Sequence, residues 1–538
     1  MNWIVRRPGL VALILVIIAS ARIVSTYRAL SHTTDEPAHL AAGIEWIENG
    51  TYTYEDQHPP LARVAGALGA HLIGSRWSRN KSMYDEGYHI LGQNKRYNQV
   101  LFFSRLCMLP FFWIGCAAVW FWGLRIGGTN TAQLSVLLFT TTPPILAHAG
   151  LVTTDMALTS FVTATLVASL YWVSQPDWRR SLVLGTVLGL ALLSKFSALV
   201  FLPGAWLLMC IAWLWRVRRG IRSIAGAIKA RIGRGAVTAM VTLLIIWAGY
   251  RFDIGRVDYL KARMPAPAFF TGLQSVYLHN GEGHLAYLLG TLNHSGFWYY
   301  YPVVVAVKTP LATLILVVFS VWFAVRHRKL QAIATPVASI ATPVALILTL
   351  LGVGFFSHIN IGVRHILPIY AAFALCGGVA LSYMLGSKQR WLTGAAIVLL
   401  SWQVLTGILV HPDYLAYTNE LAGSHPERIL ADSDLDWDQG MRGLALRLEE
   451  LNVQNFTFKA NSSGYLIANG HWLPAYELMP DGDQPRPGWN AVCITGWKLS
   501  GQPRWADRIE PTERIRRSIL LYYIPAEKKS DARPISPQ

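Results

Sequence analysis

Apolar stretches long enough to cross roughly 30 Å of hydrocarbon recur at short intervals through the first three quarters of this chain. Eleven can be delimited: Pro8–Tyr27, Leu101–Leu124, Thr131–His148, Met156–Ser174, Ser181–Lys195, Ala198–Trp215, Gly235–Tyr250, Pro302–Val325, Pro336–Phe356, Ile366–Gly386 and Trp391–Val410. Charged residues make up only 14% of the 538, against roughly 25% in soluble proteins. That balance excludes disorder, a collagen-like repeat and an ordinary cytosolic enzyme. The five cysteines form no CxxC or zinc-finger spacing, so neither disulfides nor zinc organise the fold. The expected fold class is an α-helical polytopic membrane protein of about eleven spans.

Charge sets the orientation. Alternate connections hold Arg6–Arg7, Arg125, Arg179–Arg180, the block Arg216–Arg234, Arg326 with Arg328–Lys329, and Lys388 with Arg390. Seventeen Lys and Arg fall there against one acid, Asp177, while the chain's net charge is +17. The positive-inside rule places these connections and the N-terminus in the cytoplasm of a cell inner membrane. The basic balance is then a topological signal and calls for no nucleic acid; the block Arg216–Arg234 reads as a solvated loop facing anionic lipid. Arg6–Arg7, an apolar run and Ala19-Ser20-Ala21 also fit a cleavable signal peptide. Because apolar character resumes at Ile23–Val24, a retained helix is expected, and either outcome leaves the next segment outside.

The extracytoplasmic side receives Arg28–Val100, the turns Ala149–Asp155, Phe196-Ser197 and Ser357–His365, and the stretch Arg251–Tyr301. An odd number of spans sends His411–Gln538 there too. The expected organisation is a transmembrane bundle over 1–410 with a large first outer loop, 28–100, followed by a small extracytoplasmic α/β domain, 411–538, with a disordered tail. Arg428–Ala431, Phe456–Lys459 and Ala491–Thr495 are strand-like, and Gln439–Leu451 has helical apolar spacing. The Ala-Thr-Pro-Val echo within Ala334–Val344 is too short to define a repeat.

Candidate chemistry clusters on the outer side. In Thr33–His39, Pro37 suits the first turn of a helix with polar caps before it, so Asp35 and Glu36 fit a plain helix start. Asp35 also lies only a few residues beyond the first span, where a partly dehydrated carboxylate can take a proton from a hydroxyl. The spacing of Asp35, Glu36 and His39 would equally suit a metal, and no HExxH strengthens that option. Asp155 closes the turn from Gly150, either as a cap or as a second acid converging with Asp35. Cations stand at the same level: Arg105, Lys195, Lys308 and Arg364-His365. Singly they can snorkel or balance an acid; together, opposite two acids, they suit an anionic group such as phosphate, which Arg364 can grip bidentately. His58, in His58-Pro59-Pro60-Leu61, is either structural or substrate-facing. Asp432–Asp438 fails the EF-hand template, with Trp437 at position six and Gly443 at position twelve, and reads as a strand end leading into a helix cap.

No Walker, dinucleotide, nucleophile-elbow or kinase motif is present. An activated substrate reaching the outer side should then arrive through the membrane, as a lipid-linked phosphate would. The rival reading is a transporter or flippase of a lipid-linked or anionic substrate, which would call for mid-bilayer charges and two similar halves. The charges lie at the outer edge, and no repeat is seen.

The combination of Thr34–His39, His58–Leu61, Thr154-Asp155, Leu193–Phe196, Tyr299–Leu311, Ile359–Pro368, Tyr417–Gly423 and Asp432–Gln439 resembles bacterial GT-C glycosyltransferases of the dolichyl-phosphate-mannose protein mannosyltransferase and aminoarabinose-transferase branch. The resemblance runs from the first span to about Leu451. It implies an inverting transfer of a sugar from a polyprenyl-phosphate donor to a hydroxyl of a protein, lipid or glycan acceptor. By position, Asp35 matches the catalytic base with Glu36 beside it, and Asp155 matches the acid that orients substrate. Arg105 and Lys195 are candidates for the donor phosphate, and His58, Arg364 and His365 for substrate binding. No cofactor is expected to be required, and a divalent metal is left open. The sequence departs from the pattern at Asp434, where Asn is usual, and at Thr418, where Phe is.

Overall fold

The computed structural model describes residues 8–217, 231–326, 340–461, 473–480 and 484–526. Most of the block Arg216–Arg234, Arg328–Lys329, part of the Ala334–Val344 echo and the tail after 526 lie outside the described residues.

Helices stand at all eleven apolar stretches. By length and composition, six helical stretches among the described residues are apolar enough to cross a membrane. The bent pair Tyr300–Lys308 and Leu311–Arg326, which turns through 114°, adds a seventh. One of the six, Tyr97–Thr141, folds back on itself. Its backbone leaves helical geometry at Gly127 and Gly128, the latter at φ 75°, a region open to glycine at little cost. The rings of Phe112 and Phe139 consequently stack with centroids 6.3 Å apart, where a straight helix would separate them by roughly 40 Å. The two sequence stretches Leu101–Leu124 and Thr131–His148 are therefore two antiparallel helical arms.

Packing between helices uses small residues and hydroxyls, as expected where lipid removes the hydrophobic drive for helix association. Thr238 and Thr242 on helix Ile232–Gly249 donate to the carbonyls of Ser181 and Gly185 on helix Trp178–Ser194, at 3.3 and 3.2 Å. A Cβ at Gly185 would meet the Thr238 carbonyl and Val241, so glycine permits this approach.

The connections on the site's side are structured. Residues 28–100 form helices Glu36–Glu48, Pro60–Leu72 and Met83–Gly92, and residues 251–301 form hairpin β1 (Ile254–Val257) with β2 (Ala262–Pro265), helix Pro267–Glu282, and hairpin β3 (Ala286–Leu288) with β4 (Thr291–Asn293). The C-terminal region holds β5 (Asn455–Lys459), β6 (Ala475–Leu478), β7 (Gly488–Cys493), β8 (Glu513–Ile515) and β9 (Ile519–Ile524). They form one sheet in the order β6-β5-β7-β9-β8, parallel across β6, β5 and β7 and antiparallel beyond. Helix Met441–Glu450 supplies Met441, Leu444 and Leu448 to its core. The strand expected at Arg428–Ala431 is absent: Pro426 opens a 3-10 turn there instead, its fixed φ suiting a helical start.

Candidate active site

Asp35 occupies the N-cap position of helix Glu36–Glu48, with Pro37 in the first turn, yet its side chain makes no capping hydrogen bond. It is committed elsewhere: Arg364 Nη1 donates to Asp35 Oδ2 at 2.7 Å. Arg364 belongs to a short 3-10 turn, Val363–Ile366, ahead of helix Ile369–Gly386. Its guanidinium lies over the ring of Trp437, 4.1 Å from the centroid. Asp35 keeps 27% of its side chain exposed while Arg364 keeps 9%, so the carboxylate is the solvent-facing half of the pair.

Asp155 is the buried acid of the group. It begins helix Asp155–Ser174, and Lys195 Nζ, just past helix Trp178–Ser194, donates to its Oδ1 at 2.7 Å. Asp155 Oδ2, Arg364 Nε, His365 Nε2 and His148 Nδ1 are buried without a hydrogen-bond partner among the described residues. These are donors and acceptors held ready, since such groups are costly to bury unpaired. The charges of Lys195, Arg364 and Asp155 all act on His365, and those of Lys195, Asp35, Asp155 and Arg364 act on His58. The expected residues Asp35, Asp155, Lys195, His58, Arg364 and His365 thus form one cluster. Burial, reinforced by Lys195 and Arg364, holds the His365 imidazole well below its ordinary range and therefore neutral.

Glu36 and Arg105 are placed differently from expectation. Both oxygens of Glu36 are saturated: Arg105 Nε and Nη2 donate at 2.9 and 2.7 Å, the Val152 amide at 3.0 Å, and the Thr33 amide at 2.7 Å. Burial alone would raise the Glu36 carboxyl, but Arg105 and these amides outweigh it and hold it below the usual carboxylate range. Arg105 also donates to the carbonyls of Leu30 and Ser31 and is fully buried. The pair clamps the first outer loop to the turn before Asp155 and commits four of the five guanidinium N–H donors within the protein.

The residues considered for a metal diverge onto three arginines: Asp35 to Arg364, Glu36 to Arg105, and His39 to Arg63, whose Nε donates to His39 Nδ1 at 2.9 Å. They do not share a common point, and no cluster of three or more metal-ligating side chains occurs among the described residues. His58 packs edge-on to His39, ring centroids 5.6 Å apart, with Nδ1 3.3 Å from Glu55 Oε1. Lys308 is buried and donates to the carbonyls of Leu415 and Asp434, so it holds backbone in place.

Two residues beside the cluster, His148 and Trp437, carry no candidate role in the sequence reading. They pack together, ring centroids 6.4 Å apart, and each resembles an ordinary core residue when read alone. Asp434 accepts from the Val363 amide at 3.0 Å and from the Tyr300 hydroxyl at 3.3 Å. Asp432, at φ 56°, feels the charges of Arg364 and Asp35, and burial pushes its carboxyl up to about 6 against the pull of Arg364.

A helical bundle with structured loops over one end, and a small sheet region after the last apolar helix, is a fold this chain shares with a solved protein. ArnT from Cupriavidus metallidurans superposes with a TM-score of 0.51 in its apo state and 0.50 bound to undecaprenyl phosphate. In both cases identity is 12%, with 95% of this chain and 97% of that chain covered. Residues 87–247 match the family described as dolichyl-phosphate-mannose-protein mannosyltransferase. No curated protein matches the chain in sequence. The likeness to ArnT is one of fold, and the family match covers under a third of the chain.

Proposed function

We propose that the chain moves a sugar from a polyprenyl-phosphate donor to an acceptor hydroxyl on the extracytoplasmic face of the inner membrane, inverting the anomeric centre. The observation that carries this reading is the disposition of Asp35. It is a partly exposed carboxylate, bonded through one oxygen to a buried arginine, in a cluster with buried polar atoms that lack partners among the described residues.

In the proposed step the acceptor oxygen attacks the anomeric carbon while the bond from that carbon to the phosphate oxygen breaks. The electron pair leaves with the polyprenyl phosphate, and the hydroxyl proton passes to Asp35. A single displacement inverts configuration. Lys195 is the cation for the departing phosphate: one ammonium hydrogen serves Asp155, and an ammonium has three donors. Asp155 Oδ2, His148 and His365 face the sugar hydroxyls. Arg364 fixes Asp35, and the Glu36–Arg105 clamp fixes the loop that carries it. The low identity to ArnT supports the fold; the donor class rests on the family match, the resemblance in motifs and the chemistry of the cluster.

The test is to incubate purified full-length protein with undecaprenyl phosphates bearing labelled hexoses or pentoses and an envelope extract. Transfer should give product of the opposite anomeric configuration, read by NMR. Retention of configuration, or no transfer from any such donor, contradicts the proposal. Protease accessibility of a tag at residue 538 on right-side-out vesicles tests the orientation.

A further inference from the structure

We infer that Trp437, contributed by the segment after the last span, is a positioning residue for the Asp35–Arg364 pair; the inference rests on the reading of Asp35 as base. Trp437 touches both halves of the pair by different means. Its carbonyl accepts from the amide of Thr34, next to Asp35, at 3.2 Å. The Arg364 guanidinium stands over the Trp437 ring, and a cation over an aromatic face is held by the ring quadrupole.

The neighbouring residues make the indole a fixed platform. The Trp437 amide donates to Gln439 Oε1 at 2.6 Å, and Gln439 Nε2 donates to the Leu435 carbonyl at 2.8 Å, so the turn carrying the ring is closed on itself. The same turn grips the first outer loop three times more: Ser31 Oγ donates to the Asp438 carbonyl and Thr34 Oγ1 to Asp438 Oδ2, both at 2.8 Å, and the Ser31 amide to the Gln439 carbonyl at 3.2 Å. On the other side, Asp434 takes the amide of Val363, adjacent to Arg364. Asp35 and Arg364 lie 329 positions apart in the chain, and Asp432–Gln439 is anchored to the loops of both. Arg364 has one donor on Asp35 and its Nε unpaired among the described residues. Without the ring, the guanidinium loses a contact that holds it beside Asp35, and Asp155, whose charge also acts on it, becomes a competing partner.

The experiment is a double-mutant cycle on turnover with purified full-length protein and labelled undecaprenyl-phosphate sugars, using Trp437→Leu, Arg364→Gln and the double variant. Trp437→Leu should lower kcat about tenfold with KM for the donor little changed, and Trp437→Phe, which keeps a flat ring, should recover most of it. The double variant should be no slower than Arg364→Gln alone, because Trp437 acts through Arg364. Multiplying losses, or a leucine variant as fast as wild type, overturn the inference. If Trp437→Leu does not fold, Trp437→Met, which likewise lacks a ring, supplies the cycle with the same criteria. Asp35→Asn separates the two levels: an active Asp35→Asn overturns the reading of the base, whereas an inactive Asp35→Asn beside an unaffected Trp437→Leu overturns only the positioning role.

Discussion

Arg364 reaches from the turn before helix Ile369–Gly386 to Asp35 at the head of helix Glu36–Glu48, and its Nη1 lies 2.7 Å from Asp35 Oδ2. The contact takes Asp35 away from the capping role that its place in sequence suggests. A carboxylate at an N-cap ordinarily accepts from the amides of the first turn; this one accepts from an arginine and stays partly exposed.

Replacing Arg364 with Gln should therefore cut transfer by on the order of 10²-fold, in the range seen when one preorganised electrostatic group is lost. The midpoint of thermal unfolding should move little compared with the loss of rate. Equal activity of the two proteins would show that the pair is structural.

Glu36→Gln should instead act on stability. Breaking a buried, hydrogen-bonded ion pair by removing one charge costs about 3–5 kcal/mol, since Arg105 would be left without its counter-charge. Denaturant or thermal unfolding of the detergent-solubilised protein, measured beside turnover per folded molecule, distinguishes this from catalysis. A stable but inactive Glu36→Gln would restore Glu36 to the chemistry.

The same clamp fixes a pH dependence. The Glu36 carboxyl sits lower in the folded protein than in the unfolded chain, so its ionised form favours folding. That contribution is complete above the unfolded carboxylate range, about pH 4.3, and is lost as pH falls through the lower folded value. Wild type should lose stability on acidification below about pH 5 more steeply than Glu36→Gln. Parallel curves would contradict the assignment.

Lys195→Met removes the partner of a buried carboxylate and the cation assigned to the departing phosphate. We expect weaker binding of undecaprenyl phosphate, by tenfold or more, together with slower transfer. Because Asp155 and Lys195 act as a pair, the double variant with Asp155→Asn should be no worse than the worse single variant. Unchanged affinity would move the phosphate away from Lys195.

Much of this was legible in the sequence, for physical reasons that differ by residue. Helices stand where length and apolarity place them, and the fold-back at Gly127–Gly128 follows Arg125, a cation that fits poorly inside one long hydrocarbon span. Asp35, Asp155, Lys195 and Arg364 stood out because charge at the ends of apolar stretches is costly without a purpose. What the sequence could not supply was pairing. Arg105 looks as available for phosphate as Lys195 does until Glu36, 69 positions away, is seen to pair with it. Trp437 resembles any buried aromatic, and only the folded chain lays it against Arg364. The roles of base and substrate-orienting acid came from resemblance to a family, whereas the geometry shows which charges remain open.

The central claim is that Asp35 removes the acceptor proton, and single-turnover transfer by Asp35→Asn against wild type, with a saturating labelled undecaprenyl-phosphate sugar, tests it most directly. A rate reduced by on the order of 10³-fold, with donor affinity within about threefold of wild type, is the predicted result. Transfer by Asp35→Asn at the wild-type rate would contradict it.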